Sequence, residues 1–185
     1  KAGLISANIN LTFDLDGEIK KDYQINGAVK KTKLNIFNQA EIENLNLSFD
    51  ISKNQLTLRK VETKINNIKL KSPLIKVVEK NNSFFIEGEM ISDQQNFDIN
   101  KLKPILGDLL STVETEKINF NSINTFSFNV NKKLRLNDLK LETDLNLKNF
   151  KIVKNPLNLK TFLPNYTEQV KLEDHKIKIK LTKDI

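Results

Sequence analysis

The sequence predicts a mainly β chain: a curved antiparallel meander of about a dozen short strands, one amphipathic helix near 100–113 and a short helical turn near 156–163. Three observations carry this. The apolar content is 25 Leu, 20 Ile, 11 Phe, 8 Val and 1 Met against four Ala and five Gly, so about a third of the 185 residues are large and mostly branched or aromatic, which favours strands. Apolar and polar residues alternate with a period of two in most runs. Short polar clusters punctuate those runs at hairpin spacing.

The first run carries Ile9, Leu11, Phe13 and Leu15, alternating with Asn10, Thr12 and Asp14, and Asp16-Gly17 turns the chain. Ile19, Tyr23, Ile25 and Val29 follow, then short runs at Leu34-Ile36, at Leu45 to Ile51 and at Leu56-Leu58, with Ser52-Lys53-Asn54 between the last two. Ile65 to Leu70, Leu74 to Val78 and Phe84 to Ile91 keep the rhythm, with a turn at Asn81-Asn82. After Asp98 the period changes. Leu102, Ile105, Leu106, Leu109, Leu110 and Val113 recur at three and four, one apolar helix face, and Pro104 fits only in its first turn. Asn155-Pro156 reads as an N-cap with Pro at the first helical position, ending before Pro164.

Strands resume with Ile118 and Phe120, then Phe126, Phe128 and Val130, then Leu134 and Leu136, then Leu139 to Leu147. Apolar parity flips at Asn137-Asp138, which requires a bulge or a turn. The last strand alternates Ile177, Ile179 and Leu181 with Lys176, Lys178 and Lys180. A weak internal repeat relates about 45–70 to 126–147: Leu47-Ser-Phe-Asp-Ile-Ser-Lys-Asn-Gln-Leu56-Thr-Leu58 resembles Phe126-Ser-Phe-Asn-Val-Asn-Lys-Lys-Leu134-Arg-Leu136, and Glu62-Thr63 and Glu142-Thr143 follow the two copies. The whole of 1–185 reads as a single β-rich segment.

Composition excludes several classes. The apolar fraction argues against disorder, and the absence of Cys removes disulfide scaffolds, thiolate metal sites and a cysteine nucleophile. The longest apolar stretch, Ala2 to Ile5, is far short of a membrane span. The chain opens at Lys1 directly into a strand pattern, so it reads as an excerpt of a longer chain, with any anchor outside it. The net charge of +7 rests on 28 Lys and only 2 Arg. Nucleic-acid readers lean on Arg, so no nucleic-acid partner is expected.

Catalytic chemistry has little foothold. His175 is the only histidine and has no Ser or Cys partner in a recognisable turn. Glu87 and Glu89 flank Gly88 at a spacing open to acid–base work, but a solvated strand face explains them. No cofactor and no metal is expected. What the pattern leaves open is the apolar face. A dozen strands would make a sheet on the order of 50 Å wide, and a 13-residue helix, about 20 Å long and 10 Å across, cannot cover it. The sheet must curl onto itself, pack as a sandwich, or be lined by an apolar ligand. Lys176, Lys178 and Lys180 are the candidate contact for anionic headgroups, or a lysine-protected edge.

Leu134-Arg-Leu136-Asn-Asp138-Leu139-Lys-Leu141, the parallel Leu56-Thr-Leu58-Arg-Lys-Val61, and Tyr23-Gln-Ile25-Asn-Gly27 within the strand from Ile19 to Val29 resemble the AsmA-like proteins, including the YhdP and TamB type. The resemblance implies an open, taco-like groove in a Gram-negative envelope protein, anchored in the inner membrane by a segment outside this one and crossing the periplasm. It also implies an apolar lining that carries phospholipid acyl chains towards the outer membrane, and no catalytic residues. On this reading the chain is a non-enzymatic element of phospholipid transport and outer-membrane biogenesis, with Phe120, Phe126, Phe128, Val130, Leu134, Leu136, Leu139 and Leu141 as the candidate lipid-binding face. The competing expectation is a closed β-sandwich or barrel acting as a structural or adhesive module.

Overall fold

The computed structural model describes residues 3–20, 22–36, 40–65, 67–80, 82–98, 117–153 and 169–183. They form nine strands: β1 (Leu4–Asn10), β2 (Gln24–Ile36), β3 (Ala40–Ser52), β4 (Gln55–Ile65), β5 (Ile68–Lys80), β6 (Ser83–Asp98), β7 (Lys117–Asn131), β8 (Leu136–Val153) and β9 (Gln169–Lys183). They lie in one sheet in sequence order, with β1 and β9 as its edges. Neighbouring strands from β1 to β6 pair antiparallel. Side-chain bonds follow the same sense beyond, Thr143 to Asn124 at 3.0 Å and Asn146 to Asn121 at 2.8 Å between β7 and β8. The antiparallel meander of the sequence reading is therefore the architecture. Both expected helical segments, near 100–113 and 156–163, lie outside the described residues.

The expected dozen short strands are replaced by nine longer ones, and the physical reason is the bulge. Lys31, Asn44 and Lys60 have φ of 49°, 52° and 50°. Each stands where the apolar parity of its strand changes: Ile25 and Val29 to Leu34 in β2, Ile42 to Leu45 in β3, Leu58 to Val61 in β4. Register shifts between Val29 and Leu34 and between Glu43 and Ser48 mark the same places. One left-handed residue turns the pattern over without ending the strand, so runs that look separate in sequence are one element. Asp138, with φ 52°, does the same inside β8 at the predicted parity flip.

Side chains occupy the backbone groups that the bulges release from the ladder. Asn46 accepts the Lys31 N–H at 3.0 Å and donates to the Asn44 carbonyl at 2.9 Å. The Thr63 hydroxyl donates to the Glu43 carbonyl at 3.2 Å. The turns behave as the sequence predicts: Gly17 has φ 83°, the Asp14 carboxylate accepts the Asp16 and Glu18 N–H groups, and Phe13 bridges Ile19. Ser52 pairs with Gln55 and Lys80 with Ser83, so both hairpins have two-residue connections.

The chain falls into two compact units. The first comprises Lys1–Ser92, Ile123–Thr143 and Ile179–Ile185, the second Asp93–Ser122 and Asp144–Lys178. In the second, Phe97, Ile118, Phe120 and Leu147 are buried, with the Phe97 and Phe120 rings edge to face at 6.3 Å. Its polar side carries an amide chain: Gln94 donates to Asn119 at 2.5 Å and Asn119 to Asn96 at 2.9 Å. In the first unit Val61 is the one large apolar side chain that is buried among the described residues. There the Lys33 ammonium pairs with Glu41 and Glu43, and Glu43 with Lys64; the hydrogen bond to Glu41 raises the Lys33 pKa above its ordinary value.

Asn46→Ala removes both bonds that hold the β2–β3 bulge and lowers unfolding free energy by about 1–3 kcal/mol in urea denaturation. At Lys60, where φ is positive, Gly is accommodated at no loss and Val, β-branched, costs a further ~1–2 kcal/mol; the pair of melting curves checks this.

Candidate functional site

Because residues directly opposite in a sheet share a face, the registers of β1 to β6 can be read as rows. One row is Ile9, Ile25, Ile51, Leu56, Val77 and Ile86, apolar on all six strands. The next is Ala7, Gly27, Phe49, Leu58, Ile75 and Gly88. A third, Ile5, Val29 and Leu47, continues across β1 to β3. The alternate rows face the other way and are more polar: Asn8, Asn26, Asp50, Thr57, Lys76 and Glu87 form one, while the row of Asn10, Gln24, Ser52 and Gln55 ends in Val78 and Phe85.

Two glycines on the apolar face are covered by aromatic rings from the next strand. A Cβ on Gly27 would lie 2.6 Å from Phe49 Cζ and would collide with the Ser6 carbonyl oxygen. On Gly88 it would lie 3.0 Å from both Phe126 Cζ and Ile75 Cγ1. Phe126 thus attaches β7 to the apolar face, and Phe128 stands beside it with ring centroids 6.0 Å apart.

The side chains of this face are half-buried from β2 to β6, with Ile9 on the edge strand 59 % exposed. In-plane neighbours cover their flanks. At about 4.8 Å per strand the six-strand ladder is about 24 Å wide. Half of a hydrocarbon core, the reach of one acyl chain, is about 15 Å.

The sequence-predicted residues divide. Phe126, Phe128, Val130, Leu136, Leu139 and Leu141 are half-buried in the first unit. Phe120 is a buried side chain of the second unit, packed on Phe97. Leu134 lies in the connection between β7 and β8, not in a strand, with φ 58° and 71 % exposure. On β9, Lys178 pairs with Asp144 at 3.3 Å and Lys180 with Glu142 at 2.9 Å, while Lys176 has no ion pair among the described residues. Two of the three predicted headgroup contacts are therefore already matched by carboxylates.

Glu87 stands opposite Lys76, and with Glu89, Lys140 and Glu142 it lines an open depression that Leu74, Gly88 and Phe126 also line. His175 is exposed on β9. Among the described residues no group of three His, Asp or Glu side chains is placed to hold a metal ion, and no helix is long and apolar enough to cross a membrane. Sequence reading missed the β1–β6 ladder itself, although the two-residue hairpins after Ser52 and Lys80 carry enough information to align it by counting. No family model, curated protein or solved structure matches the sequence.

Gly27→Ala forces either the β1 backbone or the Phe49 ring to move and destabilises by about 1–3 kcal/mol. Gly88→Ala asks a few tenths of an ångström of the Ile75 and Phe126 side chains and of the Leu74 carbonyl oxygen at 3.2 Å and costs less; thermal melts of the two variants give the order.

Proposed function

We propose that the chain is a non-enzymatic, lipid-shielding segment of an AsmA-like envelope protein, acting in phospholipid transport and outer-membrane biogenesis. The observation that carries this reading is the apolar ladder: three rows dominated by Ile, Val, Leu and Phe on one face, half-buried from β2 to β6, opposite a more polar face on which Asn, Asp, Lys and Glu stand with Leu74, Val78 and Phe85. On β2 to β6 these side chains keep a minority of their surface in water, and covering that remainder favours an apolar partner. Acyl chains laid on the ladder supply the missing contact without hydrogen bonds, which suits a face that offers none.

The action is passive. Chains slide over Ile51, Leu56, Val77 and their row neighbours, Phe126 and Phe128 extend the surface on β7, and the headgroup stays in water. No bond forms or breaks, and the partner is phospholipid or another membrane lipid. The periplasm is the compartment this reading requires, with the chain tied to the inner membrane by a segment outside the one described.

Ile51→Asp and Ser52→Asp separate the two faces at neighbouring positions. In native mass spectrometry with lipid extraction, the wild-type chain carries phospholipid at defined stoichiometry, Ile51→Asp loses it with a melting temperature within a few degrees of wild type, and Ser52→Asp keeps it. Outright unfolding of Ile51→Asp makes the face an ordinary covered core, because an unpaired charge is far more costly there. Equal loss from both variants places the lipid elsewhere.

A further inference from the structure

We propose that the depression lying over β7, between the side chains of β6 and β8, is a binding site for a small zwitterion in which an ammonium and a phosphate are joined by a two-carbon bridge, as in phosphoethanolamine. The inference goes beyond lipid shielding and does not rest on it. Its basis is the distribution of long and short side chains over neighbouring strands. Thr143 donates to Asn124 and Asn146 to Asn121. Counting from these pairs, with no positive φ between Leu139 and Asn146 to change the register, sets Glu142 opposite Thr125 and Lys140 opposite Ser127. Phe126 covers Gly88, and Asn124 donates to the Met90 carbonyl at 2.9 Å, so Glu89 stands beside Thr125 and Glu87 beside Ser127. The short hydroxyl side chains of β7 are the floor and the long charged ones of β6 and β8 the walls. The open volume between them is about 440 Å³, within the range of small-molecule sites.

The charges around this floor are left without partners. Elsewhere on the sheet close opposite charges pair, Glu142 with Lys180 at 2.9 Å and Asp50 with Arg59 at 3.3 Å. Lys76, Glu87, Glu89 and Lys140 make no ion pair among the described residues, although Lys76 and Glu87 stand directly opposite each other. They are also sorted along the strands. The Ser127 level has two ammonium groups, Lys76 and Lys140, against the single carboxylate of Glu87. The Thr125 level has two carboxylates, Glu89 and Glu142, against the single ammonium of Lys180. One end of the floor is therefore net positive and the other net negative, about 6.6 Å apart along the strand. A lone anion or a lone cation is attracted at one end and repelled at the other. A zwitterion with a two-carbon bridge brings one group to each level, whereas the two groups of an α-amino acid, carried on one carbon, are too close together. The phosphate accepts from Lys140, Lys76 and the Ser127 hydroxyl, and the ammonium donates to Glu89 and the Thr125 hydroxyl, charge-assisted bonds at both ends.

The probe is phosphoethanolamine, titrated into the 185-residue chain and followed through backbone amide chemical shifts. Saturable shifts are expected at Glu89, Thr125 and Ser127, with inorganic phosphate alone and ethanolamine alone each binding at least about tenfold more weakly. Lys140→Gln and Glu89→Gln are each expected to weaken binding about tenfold while the melting curve stays as in wild type. Lys133→Gln, which removes the same charge from the connection between β7 and β8, is expected to change nothing. Cosedimentation with vesicles of phosphatidylethanolamine and phosphatidylcholine, lost in Lys140→Gln, upholds the site and identifies its ligand as a lipid headgroup; binding of phosphoethanolamine without cosedimentation upholds it with a soluble ligand. The absence of saturable binding overturns the proposal. So does inorganic phosphate binding as tightly as phosphoethanolamine, or Lys133→Gln weakening binding as much as Lys140→Gln.

Discussion

The cross-strand alignment of Ile9, Ile25, Ile51, Leu56, Val77 and Ile86 is the constraint on which the first unit depends. In a sheet the side-chain period is two, so one residue of slip anywhere would send a strand's whole apolar set to the polar face. Two-residue connections after Ser52 and Lys80 prevent that slip. Where the chain needs to bend, paired shifts at Asn44 and Lys60 flip the parity of β3 and β4 together, so the apolar set of each strand continues past the bulge. Sequence, turn and bulge thus agree on one outcome, a sheet whose two faces differ in chemistry.

The two units handle apolar side chains in different ways. The second buries Phe97, Ile118, Phe120 and Leu147 and stacks two of its rings. The first leaves its Ile, Leu and Phe half-covered, and the most deeply buried side chains near its bulges are small and hydroxylated: Ser72 and Ser92, at 2 % and 1 % exposure. Small side chains there let neighbouring backbones approach closely, and the Ser72 hydroxyl reaches the Leu74 carbonyl at 3.2 Å, beside Pro73, which has no N–H to give. The half-covered face is what makes an apolar partner, lipid chain or further strand, energetically favourable.

Much of this was legible in the sequence. The period-two runs, the Asp16-Gly17 and Asn81-Asn82 turns and the parity flip at Asn137-Asp138 predict the meander and one of its bulges. The number of strands was not legible, because a Lys or Asn in the left-handed region looks like any other polar residue. Lys31 and Lys60 carry no signal comparable to glycine, and only the change of parity around them betrays the bulge. The apolar alternation of the candidate residues was legible, their burial was not: Phe126 and Phe128 are half-buried on β7, whereas Phe120 is buried against Phe97 and Leu134 lies in a connection. The aromatic-rich β7–β8 run draws attention in sequence, whereas the Ile- and Leu-based ladder of β1 to β6 emerges only when registers are counted through the turns. The Lys ladder of β9 reads as free positive charge until Asp144 and Glu142 are seen opposite it.

The claim that the apolar ladder holds lipid is tested most directly by a photo-reactive side chain placed in turn at Val77 and at Lys76, neighbours on β5 that belong to opposite faces. With phospholipid vesicles of mixed phosphatidylethanolamine and phosphatidylglycerol, lipid adducts are expected at position 77 and few or none at position 76. Equal labelling at the two positions, or labelling at 76 alone, would contradict it.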